Sequence, residues 1–391
     1  MEQRRKNLTQ LFIPICLETL LYMLSGMVDT LMLSSVNDQA VGAVGTANTY
    51  IGIFIIMFSV ISSGMVAVMT QNIGAGRPGV AYQARQLGLV FNAALGVIMS
   101  LFLSLGAGTI LSGVGVADAL MQPAKTYLQI VGGFCILNAL IPICSSYLRA
   151  FGFSKEPLYA SIIGNVINFC LNAFFLFVLH KGVAGVATAT VISRIINLVI
   201  VVLLGAVLVK AKQHPERESN RAVMGQIIRI GLPSACETAI YNVSMTLVIR
   251  FLNQMDAQGL NVTARSYTMQ ITNFSYCVGA ALAQANAIMT GWHIGAKEYD
   301  ACDRGTKKAA VIGVIVAVIL ETVFTLCSGW IMQLFSKDPQ MVSLVGKLLA
   351  IDIVLEIGRV TNLVYGQALK TSGDAVFPVV MGACFMILCS V

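Results

Sequence analysis

The strongest constraint on what this chain can fold into is a succession of apolar stretches, each about 20 residues or longer, separated by short polar breaks. A helix of that length crosses a hydrocarbon core about 30 Å thick. Lipid supplies no hydrogen bonds, so a crossing backbone must be a helix or part of a closed barrel. Barrel strands would show as short alternating segments, and these do not dominate. The stretches read as helices over 9–34, 41–70, 87–112, 124–148, 158–180, 183–209, 226–252, 262–290, 309–334, 342–369 and 376–391. That predicts about ten full spans and an incomplete last one, an all-α polytopic membrane protein. Composition agrees: 57% of residues are hydrophobic, 11% are charged and the mean hydropathy is +0.80. Soluble domains hold roughly 45–50% apolar and 25% charged residues.

Lys and Arg in short loops set the orientation. One alternate set of loops holds Arg4, Arg5 and Lys6, then Arg77, Arg85, Arg149 and Lys155. The same set continues with Lys210, Lys212, Arg217, Arg221, Lys297, Arg304, Lys307 and Lys308. The opposite set has little beyond Lys125, Lys181 and Lys337. A cytoplasmic N-terminus in the cell inner (plasma) membrane follows, and the net charge of +7 reads as topology, not as a nucleic-acid surface. The first stretch is too long for a secretory signal and carries Glu18 and Asp29, so it is expected to stay as a helix. The ten Cys lie mostly within these stretches without zinc spacing and read as small apolar packing residues.

The chain also repeats itself at an offset of about 220 residues. IPICLE, with Pro14 and Glu18, returns as LPSACE, with Pro233 and Glu237. MTQNIGAG from Met69 returns as MTGWHIGA from Met289, and LRAFGFSKEP from Leu148 as LKTSGDAVFP from Leu369. Six spans per copy is an even number, so both copies enter from the same side and the repeat is parallel. The expected organisation is an N-terminal lobe of six helices over 1–209, a cytoplasmic linker over 210–225 and a C-terminal lobe over 226–391. Val391 corresponds to about position 170, inside the fifth span of the first copy, so the second lobe is expected to be truncated.

An ionisable group at the bilayer centre costs about 2.5–3.5 kcal/mol on insertion scales, so each needs a partner or a purpose. The first half holds Glu18, Asp29 and Arg194; the second holds Glu237, Arg250, Glu321, Asp352, Glu356 and Arg359. Glu356 and Arg359, at i and i+3, are spaced to pair, and Asp352 and Glu356, at i and i+4, to share a cation or a proton. Arg250 and Arg265 lie near helix ends, where they can snorkel, and Glu321 stands as a lone acid in the ninth span. Asp29 has no base at helical spacing on its own helix, so its partners must come from another. In the fifth span Asn165, Asn168 and Asn172 share a face. With Asp29 and the hydroxyl of Thr190 they form a hard-oxygen set suited to a small cation or a protonatable network. The plainer reading is interhelical polar bonding, worth about 0.6 kcal/mol on average. The repeat places Val248 opposite Asp29, so the halves differ there. Glu18 and Glu237 each follow a helix-bending Pro by one turn and serve either as framework or as a symmetric pair facing a central cavity.

GAGRPG, Gly74 to Gly79, fits a dinucleotide fingerprint literally, yet no strand precedes it. No phosphate-binding loop, GxSxG or HExxH occurs, and the only His are His180, His214 and His293, so neither an enzyme nor an organic cofactor is expected. Asn48, Thr49 and Tyr50 in the second span and Tyr267, Gln270, Asn273 and Tyr276 in the eighth cluster on spans that correspond across the repeat. They read as lining for a wet cavity that takes flat cationic guests, or in part as interfacial aromatic anchors.

VDTLML around Asp29, QNIGAG, YLRAFGFSKEP, the fifth-span Asn run and GVAGVATATVISR from Gly182 to Arg194 together resemble the bacterial multidrug and toxic compound extrusion (MATE) transporters. The resemblance implies twelve helices in two lobes around a cavity, exporting organic cations in exchange for sodium ions or protons. It also implies that Asp29 is central to coupling. Where relatives hold a sodium-like site, they offer an Asp, an Asn, an Asp four residues later and a sixth-helix Thr; the matching positions are Asp29, Asn168, Asn172 and Thr190. Asn172 replaces the second acid, which weakens a sodium site and favours protons. Glu237, with Asp352 or Glu356, resembles the second-lobe acids of some relatives.

The function these features predict is secondary active efflux of amphipathic, cationic compounds by a monomer with H+ or Na+ as coupling ion. The alternative is a flippase for a lipid-linked precursor, whose pyrophosphate would favour an Arg- and Lys-rich cavity. A passive channel or a membrane scaffold would have no need of Asp29.

Overall fold

The computed structural model describes residues 6–35, 38–113, 116–209, 216–255, 260–333 and 338–390. Arg4, Arg5, Lys210, Lys212, His214, Pro215 and Lys337 lie outside them, as does the first part of the expected linker, 210–215. The described residues form helices and no strand. In chain order these are α1 (Leu8–Ser34), α2 (Asp38–Gly74), α3 (Pro78–Gly113), α4 (Asp118–Tyr127), α5 (Ile136–Ala150), α6 (Lys155–Ala173) and α7 (Gly182–Leu208). There follow α8 (Asn220–Met255), α9 (Leu260–Gly295), α10 (Tyr299–Leu326), α11 (Ser328–Met332), α12 (Pro339–Ser372) and α13 (Val376–Ser390).

Each predicted stretch is helical over most of its described residues, though most helices run past the apolar segment at one or both ends. Three depart from a single straight rod, among them the ninth, which breaks at Cys327 between α10 and α11. The fourth stretch splits into α4 and α5, bent by 42° where the π-turn Leu128–Gly132 meets Gly133. A second π-turn, Phe174–Val178, ends α6. Such turns free backbone groups and bend the helix axis. Among the described residues, six helices are long and apolar enough to cross a bilayer, or seven if the bent pair is one span. That is fewer than the ten expected, because α8, α9 and α12 are long but more polar. α12 alone carries Lys347, Asp352, Glu356, Arg359 and Lys370. The apolar helices turn large side chains outward: Leu105 is 83% exposed, Leu326 80% and Val207 71%. Contiguous exposure on that scale suits lipid, not water.

The repeat is visible in turn geometry. α2 ends with Gly76 at φ 75°, and α9 ends with Lys297, the matching position, at φ 61°. Both turns close alike: Arg77 N–H donates to Asn72 O at 2.8 Å, and Glu298 N–H to His293 O at 2.8 Å. α5 and α12 end at Gly152 and Gly373, again matching positions and both left-handed. There Phe153 N–H donates to Leu148 O at 2.9 Å and Asp374 N–H to Leu369 O at 3.0 Å.

The halves also reach into one another through matching residues. Gln71 on α2 donates to the Thr371 carbonyl at the end of α12, 2.5 Å away. Trp292 on α9 donates to the Ala150 carbonyl at the end of α5, 2.9 Å away. α2 packs on α8 and α9 as well as on α3, α4 and α5, and α1 packs on α6 and α9. Close approach along α2 needs residues without a side chain: a Cβ on Gly64 would overlap the Ile227 backbone, and one on Gly231 the Val60 backbone. This seam lies toward the helix ends that carry the basic loops.

Candidate functional site

Asp29 is half-buried near the C-terminal end of α1. α6 packs along α1, and its i, i+4 spacing sets Asn168 and Asn172 side by side on the facing surface. Asn172 Nδ2 donates to Asp29 Oδ1 at 2.6 Å and to Asn168 Oδ1 at 3.2 Å, so both amide hydrogens are engaged. Its own oxygen is buried without a hydrogen-bond partner. Asn165, a turn and more away, donates to the Leu21 carbonyl of α1 at 3.5 Å and helps hold the two helices together.

Thr190 is buried on α7, but its hydroxyl donates to the Val186 carbonyl of its own helix at 2.9 Å. The structure thus joins Asp29, Asn168 and Asn172 by hydrogen bonds and leaves Thr190 turned to its backbone. Two neighbours were not singled out for this site in the sequence. Arg194 on α7 lies close enough for its charge to act on Asp29, and Asn138 fixes it by accepting a 2.8 Å bond. Tyr127, 5% exposed, faces the same Arg194 and Asp29, with Asn48 beside its hydroxyl. Arg194 was visible as an intramembrane base; Tyr127 carried no signal beyond an ordinary aromatic.

Glu18 and Glu237 each meet a base. Arg149 Nη2 bonds Glu18 Oε2 at 2.5 Å and its Nη1 bonds Gln284 of α9 at 2.8 Å, while Lys370 pairs with Glu237. Arg149 was read in the sequence as a loop charge. It is instead in the last turn of α5 and 9% exposed, because its counter-charge is inside. Lys370 is its repeat counterpart. The signal was present: opposite charges are kept at both pairs of repeat positions.

A second acidic centre lies between α9, α10 and α12. Asp352 and Glu356 share one face of α12 and both bind Arg359, Asp352 at 3.1 Å. Glu321 of α10 joins them, so it is not the lone acid its sequence context implied. One carboxylate oxygen from each of Glu321, Asp352 and Glu356 lies within 4.8 Å of the other two. The missing signal was tertiary: nothing in one helix's spacing pairs α10 with α12.

The expected cavity residues do not gather into one hydrogen-bonded group. Asn48, Gln270, Asn273 and Tyr276 are exposed and Tyr50 is partly so. Asn273 approaches Met23 of α1, its Nδ2 3.7 Å from the sulfur, which places that part of α9 across from the Asp29 helix.

The MatE family model matches the chain twice, over 14–174 and 233–391, and the two matches start at the repeat positions Pro14 and Pro233. The uncharacterized transporter YisQ of Bacillus subtilis is 33% identical over 374 residues, 94% of this chain and 82% of that protein. The probable multidrug resistance protein NorM of Thermotoga maritima is 22% identical over 387 residues, 96% of this chain and 82% of that one. Among solved structures, a MATE crystal structure in the straight conformation superposes with a TM-score of 0.87 at 18% identity, covering 97% of this chain and 85% of that one. An outward-facing multidrug resistance MATE family transporter of the MOP superfamily gives 0.86 at 16% identity, covering 96% and 84%. At those identities the likeness is one of fold.

Proposed function

The chain belongs to the MatE family of multi-pass membrane transporters, and on that premise we propose that it exports amphipathic, cationic compounds by antiport with protons or sodium ions. The observation that carries this reading is the Asp29 centre: a half-buried carboxylate inside an apolar helix, bonded to Asn172 and facing Arg194. A carboxylate there is costly unless it does work, and loading and releasing a cation is such work.

One acid flanked by amides and balanced by an arginine favours the proton over sodium. A proton on Asp29 removes its charge outright, whereas a sodium ion would want a second carboxylate where Asn172 stands. Protonation removes the attraction between Asp29 and Arg194, and an organic cation is no longer held by a carboxylate charge at that site. Moving one charge across the membrane is worth about 2.3 kcal/mol per 100 mV, enough to bias two access states.

The reading assigns a first lobe to 1–209 and a second to 226–391, rocking about the 210–225 linker, with the N-terminus in the cytoplasm of an inner membrane and the monomer as working unit. The close seam of α2 on α8 and α9, tied by Gln71 and Trp292, supports closure on the basic side. The exposed Tyr22, Asn273 and Tyr276 support an open opposite side where substrate leaves.

The test is dye accumulation in everted vesicles under an imposed proton gradient and then a sodium gradient. Wild type is expected to respond to protons, and Asp29→Asn to neither, at equal expression. A wild type indifferent to both gradients would sink the antiport reading and point to the flippase, or to a passive channel or membrane scaffold.

A further inference from the structure

We propose that Arg85, Tyr82 and Tyr147 hold the phosphate of one anionic phospholipid, drawn from the leaflet on the side of the basic loops, with an acyl chain in an apolar groove beside them. Arg85 and Tyr82 lie in the second turn of α3, and Tyr147 in the last turn of α5. Both helix ends face the basic loops, so the three side chains lie near the depth of the lipid headgroups. The sequence counts Arg85 among the loop charges. It is instead partly buried against aromatic faces, its Cζ 4.7 Å from the ring centre of Tyr147 and 6.0 Å from that of Tyr82. Among the described residues no carboxylate pairs with it, and the hydrogen bond it gives goes to the sulfur of Cys144, a weak acceptor.

The independent mark of a ligand is Tyr147. It is 1% exposed and Phe151 packs edge-on against its ring, yet its hydroxyl is buried with no hydrogen-bond partner. A buried phenol hydroxyl ordinarily finds a partner, because leaving it unpaired is costly. The Tyr82 hydroxyl accepts from Gln86 Nε2 at 3.2 Å, which leaves its own hydrogen to donate. The unmatched groups are therefore donors gathered around a positive charge. What completes them is a compact oxyanion. A phosphate takes charge-assisted hydrogen bonds of about 2.7–2.9 Å, and the planar guanidinium offers a fork for two of its oxygens.

The fatty chain has a place as well. Gln86, the partner of Tyr82, lines a groove of about 490 Å³ together with Leu87, Val90, Phe91 and Ala94 of α3 and Met224 of α8. Apart from Gln86 this lining is apolar, and it runs along two turns of α3 away from the basic loops. Val90 is 71% exposed and Phe91 43%, as suits a surface that lipid covers. Met224 belongs to the second half, so a chain in the groove lies against both halves. The headgroup is chosen by charge. One guanidinium with no acid beside it balances a net charge of −1, whereas a zwitterionic headgroup would bring an ammonium up to Arg85. Basic pockets between membrane helices select anionic headgroups on that ground.

The proposal is independent of the coupling ion and of the exported compound. Wild-type protein purified in a neutral detergent is titrated with phosphatidylglycerol, with phosphatidylcholine and with inorganic phosphate, and read by native mass spectrometry and thermal shift. Phosphatidylglycerol is expected to be retained at about one per chain and to raise the melting temperature, the other two binding at least about ten-fold more weakly. Arg85→Gln is expected to weaken that retention at least about ten-fold and Tyr147→Phe about three-fold or more. Since the Tyr147 hydroxyl has no partner in the protein, Tyr147→Phe is expected not to lower the melting temperature of the lipid-free protein. Phosphatidylcholine retained equally would make the lipid a non-selective annular one, and inorganic phosphate bound as tightly would make the site one for a free anion. Either result, or phosphatidylglycerol retention undiminished in both variants, overturns the lipid site. If Arg85→Gln does not fold, the Tyr147→Phe titration decides.

Discussion

The two acidic centres stand at positions the repeat does not equate, whereas the framework contacts around them recur at matching positions. Asp29 corresponds to Val248. With the offset set by Gly152 and Gly373, Asp352, Glu356 and Arg359 correspond to Val131, Cys135 and Asn138. Val131 and Cys135 are buried apolar positions in the core of α2 to α5. By contrast Glu18–Arg149 matches Glu237–Lys370, and Gln71–Thr371 matches Trp292–Ala150. The difference teaches that duplication preserved what closes the helix ends and joins the halves, while the charges deeper in the membrane were free to diverge. Under the proposed function, coupling at Asp29 would be a property of one half.

The sharpest way to break the comparison is at Asp29. Asp29→Asn is expected to bring dye efflux down to the level of cells carrying empty vector, and adding Val248→Asp is expected not to restore it. Recovery by the second change would mean that the halves are interchangeable at that point. Next come the paired framework charges. Arg149→Ala and Lys370→Ala each leave a partly buried glutamate without its base, so each is expected to destabilise the protein by about 1–3 kcal/mol in thermal or denaturant unfolding. Strong destabilisation by one and none by the other would undo the claim that the framework is symmetric. Trp292→Phe removes one cross-half hydrogen bond and should cost about 0.5–1.5 kcal/mol in the same assay. The smallest effect is expected from Thr190→Val, whose hydroxyl is already satisfied by Val186, so that efflux stays near wild type. A collapse of efflux in that variant would place Thr190 in the coupling site after all.

Much of this could be read without coordinates because it depends on local or periodic properties. Apolar length predicted each helix, and the i, i+4 spacing of Asn168 and Asn172 put both amides on the face that meets Asp29. Glu356 and Arg359 pair as their spacing on one helix required. What stayed hidden was tertiary. Glu321 gained its neighbours only when α10 packed on α12, and Arg149 changed from a loop charge to a buried partner only when α5 met α1. The bend between α4 and α5 comes from a π-turn, for which a run of apolar residues carries no marker. Thr190 shows the converse: its type and place suit a cation ligand, yet the hydroxyl bonds its own helix.

Coupling at Asp29 is tested most directly by purified protein in proteoliposomes carrying a pH indicator, to which a cationic dye is added on the side from which it is transported. The account predicts proton movement opposite to the dye for wild type and none for Asp29→Asn, with dye binding retained. Proton movement of equal rate in Asp29→Asn would contradict it.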